Sequence, residues 1–109
     1  MKRTVILFLF SLVCCFVATS GFSIGDERGK SGEALFKENC SPCHPDGGNI
    51  INPKKTLHKK DREANKVLTA EDIVRLMRNP GPGMLKFDEK TVSDKDAKTI
   101  AEYIIKTFQ

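Results

Sequence analysis

The chain has 109 residues, with 18 Lys and Arg against 14 Asp and Glu and a formal net charge of +4. Without the N-terminal Lys2 and Arg3, sixteen basic residues face fourteen acidic ones, an excess of two that gives no basis for nucleic-acid binding. The length allows one small domain, which buries little surface unless something supplements its core.

Lys2 and Arg3 precede an apolar run from Thr4 to Ala18 and the small residues Ala18-Thr19-Ser20-Gly21. This pattern predicts a secretory signal peptide over residues 1–20, cleaved after Ser20. The run falls short of the roughly 20 residues of a comfortable membrane span, and a retained anchor is the alternative. Cys14 and Cys15 raise a lipoprotein alternative, but Cys15 has Cys14 directly before it where a small residue is expected. Membrane association follows only from lipidation or a retained signal anchor, and the expected location is the periplasm. Of the four cysteines only Cys40 and Cys43 then remain, so there is no disulfide framework. Residues 21–30, with Gly21, Gly25 and Gly29, predict a flexible leader ahead of a domain over residues 31–109.

The first helix is predicted over residues 32–41, with Ser31 as N-cap, Glu33 in the first turn and Leu35-Phe36 as an apolar edge. It delivers Cys40-Ser41-Pro42-Cys43-His44, the C-x-x-C-H spacing at which two thiols add to the two vinyl groups of haem and the next imidazole reaches the iron. A disulfide-exchange dithiol would sit after a strand, and nothing strand-like precedes Cys40. A structural zinc site needs four N or S ligands, and beyond the motif only His58 is on offer. Export agrees with a c-type haem, which is attached after the apoprotein crosses the membrane. The haem also supplies the apolar core that the short chain lacks, so the apoprotein is expected to be largely unfolded.

Pro42, Pro45, Gly47 and Gly48 break the helix and begin an irregular stretch to Pro53. Residues 56–66 lack Gly and Pro and predict a short solvated helix. Lys54, Lys55, Lys59, Lys60, Arg62 and Lys66 cluster there; Asp61 and Glu63 interrupt them, so an ordinary solvated face is favoured over a surface that steers an acidic partner. Thr69, with Asp72 three residues on, predicts the next helix start; Ile73, Val74, Leu76 and Met77 form its apolar face, and Asn79-Pro80 ends it. Ser93 predicts another N-cap, followed by Ala97, Ile100, Ala101, Ile104, Ile105 and Phe108 at helical spacing. There is no convincing strand and no internal repeat. The expected fold is all-α, about four short helices around one covalently bound haem.

For the other face of the iron the candidates are Met84, Met77 and His58. Met84 lies in Pro80-Gly81-Pro82-Gly83-Met84, a loop stiffened by Pro and allowed close approach by Gly, and it is the preferred ligand. Met77 sits on an apolar helix face, where Met is more often core filler, and His58 stands among charged residues. With His44 and Met84 as axial ligands the expected function is outer-sphere electron transfer, with no small-molecule substrate. A redox partner protein would dock transiently at the exposed haem edge. The competing class is a gas sensor or peroxidase-like protein with an open sixth position, for which no distal Arg and His pair is evident.

These residues resemble the class I cytochromes c, in particular the small cytochrome c6-like proteins. The resemblance spans nearly all of residues 31–109: Gly32, Leu35-Phe36, the Cys40 to His44 motif, Gly47-Gly48-Asn49, Lys55-Thr56-Leu57, Glu63-Ala64-Asn65, Met84, Phe87 and Ile100-Ala101-x-Tyr103-Ile104. Pro45 and the run Arg78 to Met84 are similar to the monohaem outer-membrane cytochromes of metal-reducing bacteria. The resemblance implies thioethers at Cys40 and Cys43, iron ligation by His44 and Met84, and Phe36 packed on Tyr103 where Gly32 lets two helices cross closely. Leu85 stands where the c6 group commonly has Pro after the ligand Met, and Pro45-Asp46 lengthens the turn after His44.

Overall fold

The structure is a computed structural model that describes residues 29–109; the expected signal peptide, and the leader up to residue 28, lie outside the described residues. The described residues hold four helices and no strand: α1 (Gly32–Asn39), α2 (Lys59–Ala64), α3 (Ala70–Arg78) and α4 (Asp94–Thr107), with a short 3-10 turn at Pro45–Gly47. None of these helices is long and apolar enough to cross a membrane. The all-α expectation holds.

Three helix starts lie where capping chemistry predicts them. Ser31 Oγ accepts from the Ala34 amide at 3.2 Å, and Ser93 Oγ from the Asp96 amide at 3.1 Å. At α3 the cap is reciprocal: Thr69 Oγ1 accepts from the Asp72 amide at 3.2 Å, while Asp72 Oδ2 accepts from the Thr69 amide at 3.0 Å. The expected helices over 32–41 and 56–66 are shorter in the structure, for separate reasons. Helix α1 ends at Asn39 because the Cys40 and Ser41 amides both converge on the Phe36 carbonyl, at 2.8 and 3.0 Å, and the chain turns into the cysteine motif. Helix α2 starts only at Lys59 because His58 before it is extended, at φ −67° and ψ 145°, while the Leu57 amide reaches across to the Gly47 carbonyl at 2.7 Å. It ends before Lys66, whose φ of 59° leaves the helical region.

The core comprises Leu35 and Phe36 of α1, Ile73 and Met77 of α3, Val92, and Ala97, Ile100, Ala101, Ile104 and Phe108 of α4 and its end. Helix α4 is the central element, since both α1 and α3 pack on it. Of the predicted apolar positions, Val74 and Ile105 are half-buried and Leu76 is 37% exposed.

The crossing of α1 over α4 depends on Gly32. A Cβ there would lie 2.7 Å from Tyr103 Cβ and 2.9 Å from the Thr99 carbonyl, closer than atoms approach. Beside this crossing the Phe36 ring meets Tyr103 at 5.4 Å and Phe108 at 5.3 Å between centroids, an aromatic cluster holding α1 to the C-terminus. The clustering places the end of α1, and with it the cysteine motif, against one side of α4.

Candidate functional site

The motif begins where α1 stops. The Cys43 and His44 amides both return to the Cys40 carbonyl, at 3.1 and 2.8 Å, so a single turn presents both sulfurs and the imidazole together. Cys40 and Cys43 are half-buried and form no disulfide with each other. Burial pushes the Cys40 thiol up to about 11, opposite to the lowered value that a disulfide-exchange cysteine needs.

The turn after His44 is shaped by Asp46 at φ 51° and Gly47 at φ 76°. A Cβ at Gly47 would lie 2.5 Å from the Phe108 ring, so only glycine fits between this turn and the end of α4. The result is an oriented imidazole: His44 Nδ1 donates to the Gly48 carbonyl at 2.7 Å, which leaves the Nε2 lone pair as the free donor. Asn49 organises the chain beyond by accepting from the Ile51 and Asn52 amides, at 2.9 and 2.8 Å, and donating to the Lys55 carbonyl at 2.8 Å.

A cavity of about 570 Å³ opens beside the motif, lined by Cys40, Cys43 and His44, by Ile73, Leu76 and Met77 of α3, by Ile104 of α4, and by the loop from Gly81 to Leu85. Met84 is thus brought to the same cavity as His44, forty residues away in sequence. Its loop turns through Gly83 at φ 90°, and a Cβ at Gly83 would lie 3.3 Å from Ile51 Cγ2, so the Asn49 and Met84 loops touch. Met77 lines the cavity too, but at 2% exposure as part of the core. His58 does not: it precedes α2, with its ring edge-on to Phe108 at 5.6 Å.

Two arginines matter here in ways that sequence periodicity does not signal. Arg62 belongs by composition to the basic face read between Lys54 and Lys66, whereas the structure buries it to 4% exposure while the five lysines are exposed. Its Nε donates to the Leu57 carbonyl at 2.8 Å, its Nη2 lies 3.4 Å from the Phe108 carbonyl, and it lines the cavity. Carbonyl oxygens of Leu57 and Phe108 stand in for water as acceptors, which makes the burial of this cation tolerable. Arg78, at the end of α3, clasps the far side of the Met84 loop.

The soft and nitrogen donors around the cavity are two thiols, one imidazole with its second nitrogen already engaged, and the thioethers of Met84 and Met77, in a lining that also holds Glu38 and Asp61. The volume lies within the roughly 300–1,000 Å³ of small-molecule and cofactor sites. Among the described residues no group of three or more His, Cys, Asp or Glu side chains converges to hold a bare metal ion. The set fits a covalently attached haem.

Comparison with known proteins gives the same assignment. Residues 27–104 match the family model described as cytochrome c oxidase, cbb3-type, subunit III. The chain is 35% identical to cytochrome c6 of Synechocystis sp. over 104 residues, 92% of this chain and 86% of the relative. Among solved structures, OmcF, outer membrane cytochrome F of Geobacter sulfurreducens, is 44% identical with a TM-score of 0.70, covering 72% of this chain and all of that one. Cytochrome c6C of Synechococcus sp. is 25% identical with a TM-score of 0.68, covering 73% and 96%. The chain therefore belongs to the small monohaem class I cytochromes c, electron-transfer proteins rather than enzymes, and carries one covalently bound haem c.

Proposed function

We propose that Cys40 and Cys43 form the two haem thioethers, that His44 and Met84 are the axial iron ligands, and that the protein shuttles single electrons between redox partners in the cell envelope. The observation that carries this reading is the pairing of His44, its Nδ1 held 2.7 Å from the Gly48 carbonyl, with Met84 on the same cavity. The bound haem supplies a one-electron iron couple.

The chain's own residues keep that couple's surroundings unchanged between oxidation states. The Gly48 carbonyl fixes the tautomer and ring plane of His44, which leaves Nε2 for the iron. Met84 offers a neutral, soft thioether, which favours the reduced state relative to a second imidazole. Ile73, Leu76, Met77 and Ile104 keep water from the cavity walls. Asp61, which also lines the cavity, accepts from Thr56 Oγ1 at Oδ2, and Arg62 donates to the Leu57 carbonyl, so both have structural partners.

Docking is assigned to the cavity mouth, where Ile51 and Leu85 are 59% and 73% exposed and line the opening. An apolar contact at the mouth suits a brief, small interface with a redox partner. The reading of residues 1–20 as a cleaved signal peptide places this work in the periplasm.

The test is the absorption spectrum of the holoprotein in both oxidation states. A weak ferric band near about 700 nm, lost on reduction, is expected for thioether ligation. Met84→Ala should keep the haem attached, lose the band, lower the potential and admit carbon monoxide. A high-spin ferric wild type, or a variant that keeps both band and potential, would remove Met84 from the iron.

A further inference from the structure

The Met84 loop has a base and a tip that are restrained very differently. At the base, the Phe87 amide donates to the Met77 carbonyl at 2.9 Å, closing the segment between the end of α3 and Phe87. Arg78 completes the closure: Nη1 donates to the Phe87 carbonyl at 2.8 Å and the Val92 carbonyl at 3.0 Å, and Nη2 to Asp94 Oδ1 at 2.6 Å. The Arg78 side chain is 18% exposed, whereas that of Asp94 is 74% exposed. The tip holds little of its own. The Met84 amide reaches the Gly81 carbonyl only at 3.4 Å, and Gly81, Pro82, Gly83, Leu85 and Lys86 are exposed.

A loop with a loose tip is held in one conformation chiefly by what closes its ends, because end closure removes most of the accessible chain conformations. A guanidinium suits this position: its planar fork satisfies two carbonyls and a carboxylate at once, where an ammonium is a single point charge. No proline stiffens the chain between Met84 and Phe87, so the base has more of the restraint to supply.

We propose that Arg78 is a positioning residue for Met84: by clamping Phe87 and Val92 to the end of α3 it holds the thioether on the iron and keeps competing ligands off. The proposal rests on the reading of Met84 as an axial ligand. Arg78 does not line the cavity; it sets how often Met84 is in place.

The experiment is a titration of the ferric holoprotein with imidazole, followed by loss of the band near about 700 nm. Imidazole binds only when Met84 is off, so its apparent affinity reports the open fraction. Arg78→Met is expected to bind imidazole about tenfold more tightly than wild type, and Arg78→Lys to fall between them. Asp94→Asn, which removes the charge from the exposed contact, should stay within about twofold of wild type. Thr69→Ala loosens the opposite end of α3 and should also leave imidazole affinity unchanged. An Arg78→Met protein within about twofold of wild type overturns the proposal, and so does a Thr69→Ala protein that tightens as much as Arg78→Met. Should Arg78→Met fail to mature, Arg78→Gln, which keeps one donor but neither charge nor fork, replaces it under the same criterion. A wild type without the band, or Met84→Ala that retains it, removes the ligand reading and the proposal together. A normal wild-type band with unshifted Arg78 variants removes the proposal alone.

Discussion

Arg62 brings a full positive charge into the interior at 4% exposure, held by the Leu57 carbonyl at 2.8 Å. Truncation to Arg62→Met should cost about 1–3 kcal/mol, because the Leu57 carbonyl loses its partner, while the Phe108 carbonyl keeps the Lys59 amide at 2.9 Å. Urea denaturation of the holoprotein measures this; a loss near zero would mean that water replaces the guanidinium. Nothing in the neighbourhood of Arg62 announces its burial, since it sits in a run of charges and one of its partners lies 46 residues away. The Cys40 to His44 motif is legible for the opposite reason. Its chemistry depends on spacing within one turn, which the chain carries locally. Met84 is intermediate: Pro and Gly mark its loop as special, but only the packing of that loop onto α3 brings the thioether to the cavity that His44 lines.

At the scale of elements, three helix starts were readable and helix lengths less so. Ser31, Thr69 and Ser93 cap as their side chains dictate. The shorter span of α1 follows from the Ser41 amide turning back to the Phe36 carbonyl, and that of α2 from the extended backbone of His58 and the positive φ of Lys66. The α1 and α4 crossing predicts that Gly32→Ala will destabilise the fold by about 1–3 kcal/mol, since its Cβ meets both the Tyr103 side chain and the Thr99 backbone. A thermal midpoint unchanged from wild type would show that the helices can separate at no cost. At the start of α3, the Thr69 and Leu68 amides, then the Arg75 guanidinium, hold the Asp72 carboxyl down to about 2. A lowered folded value means that Asp72 stabilises the fold above the ordinary carboxylate value near about 4, and that this contribution is lost as pH falls through that value towards 2. Asp72→Asn should therefore flatten the acid limb of the stability curve in this window. Thermal midpoints measured across it would expose an unaltered slope.

At the scale of the whole molecule, four helices of 8, 6, 9 and 14 residues are too short to persist alone in water, where about 12–15 residues are marginal even for good helix formers. The cavity of about 570 Å³ is lined by residues of all four, so without its cofactor the helices face a void. A Cys40→Ala, Cys43→Ala chain purified without haem should lose most of its far-UV helical signal; a native-like spectrum would show that α1, α3 and α4 suffice by themselves. The sequence by itself determined the all-α class, the three capped helix starts, the apolar face of α4 and the haem-attachment motif. Each of these depends on residues within a turn or a helical period of one another. Only the tertiary structure decided that Arg62 is buried, that the Ile51 and Gly83 loops meet, that His58 stays outside the cavity, and that Arg78 closes the Met84 loop. Those outcomes join residues distant in the chain, and their energies exist only once α1 and α3 have packed on α4.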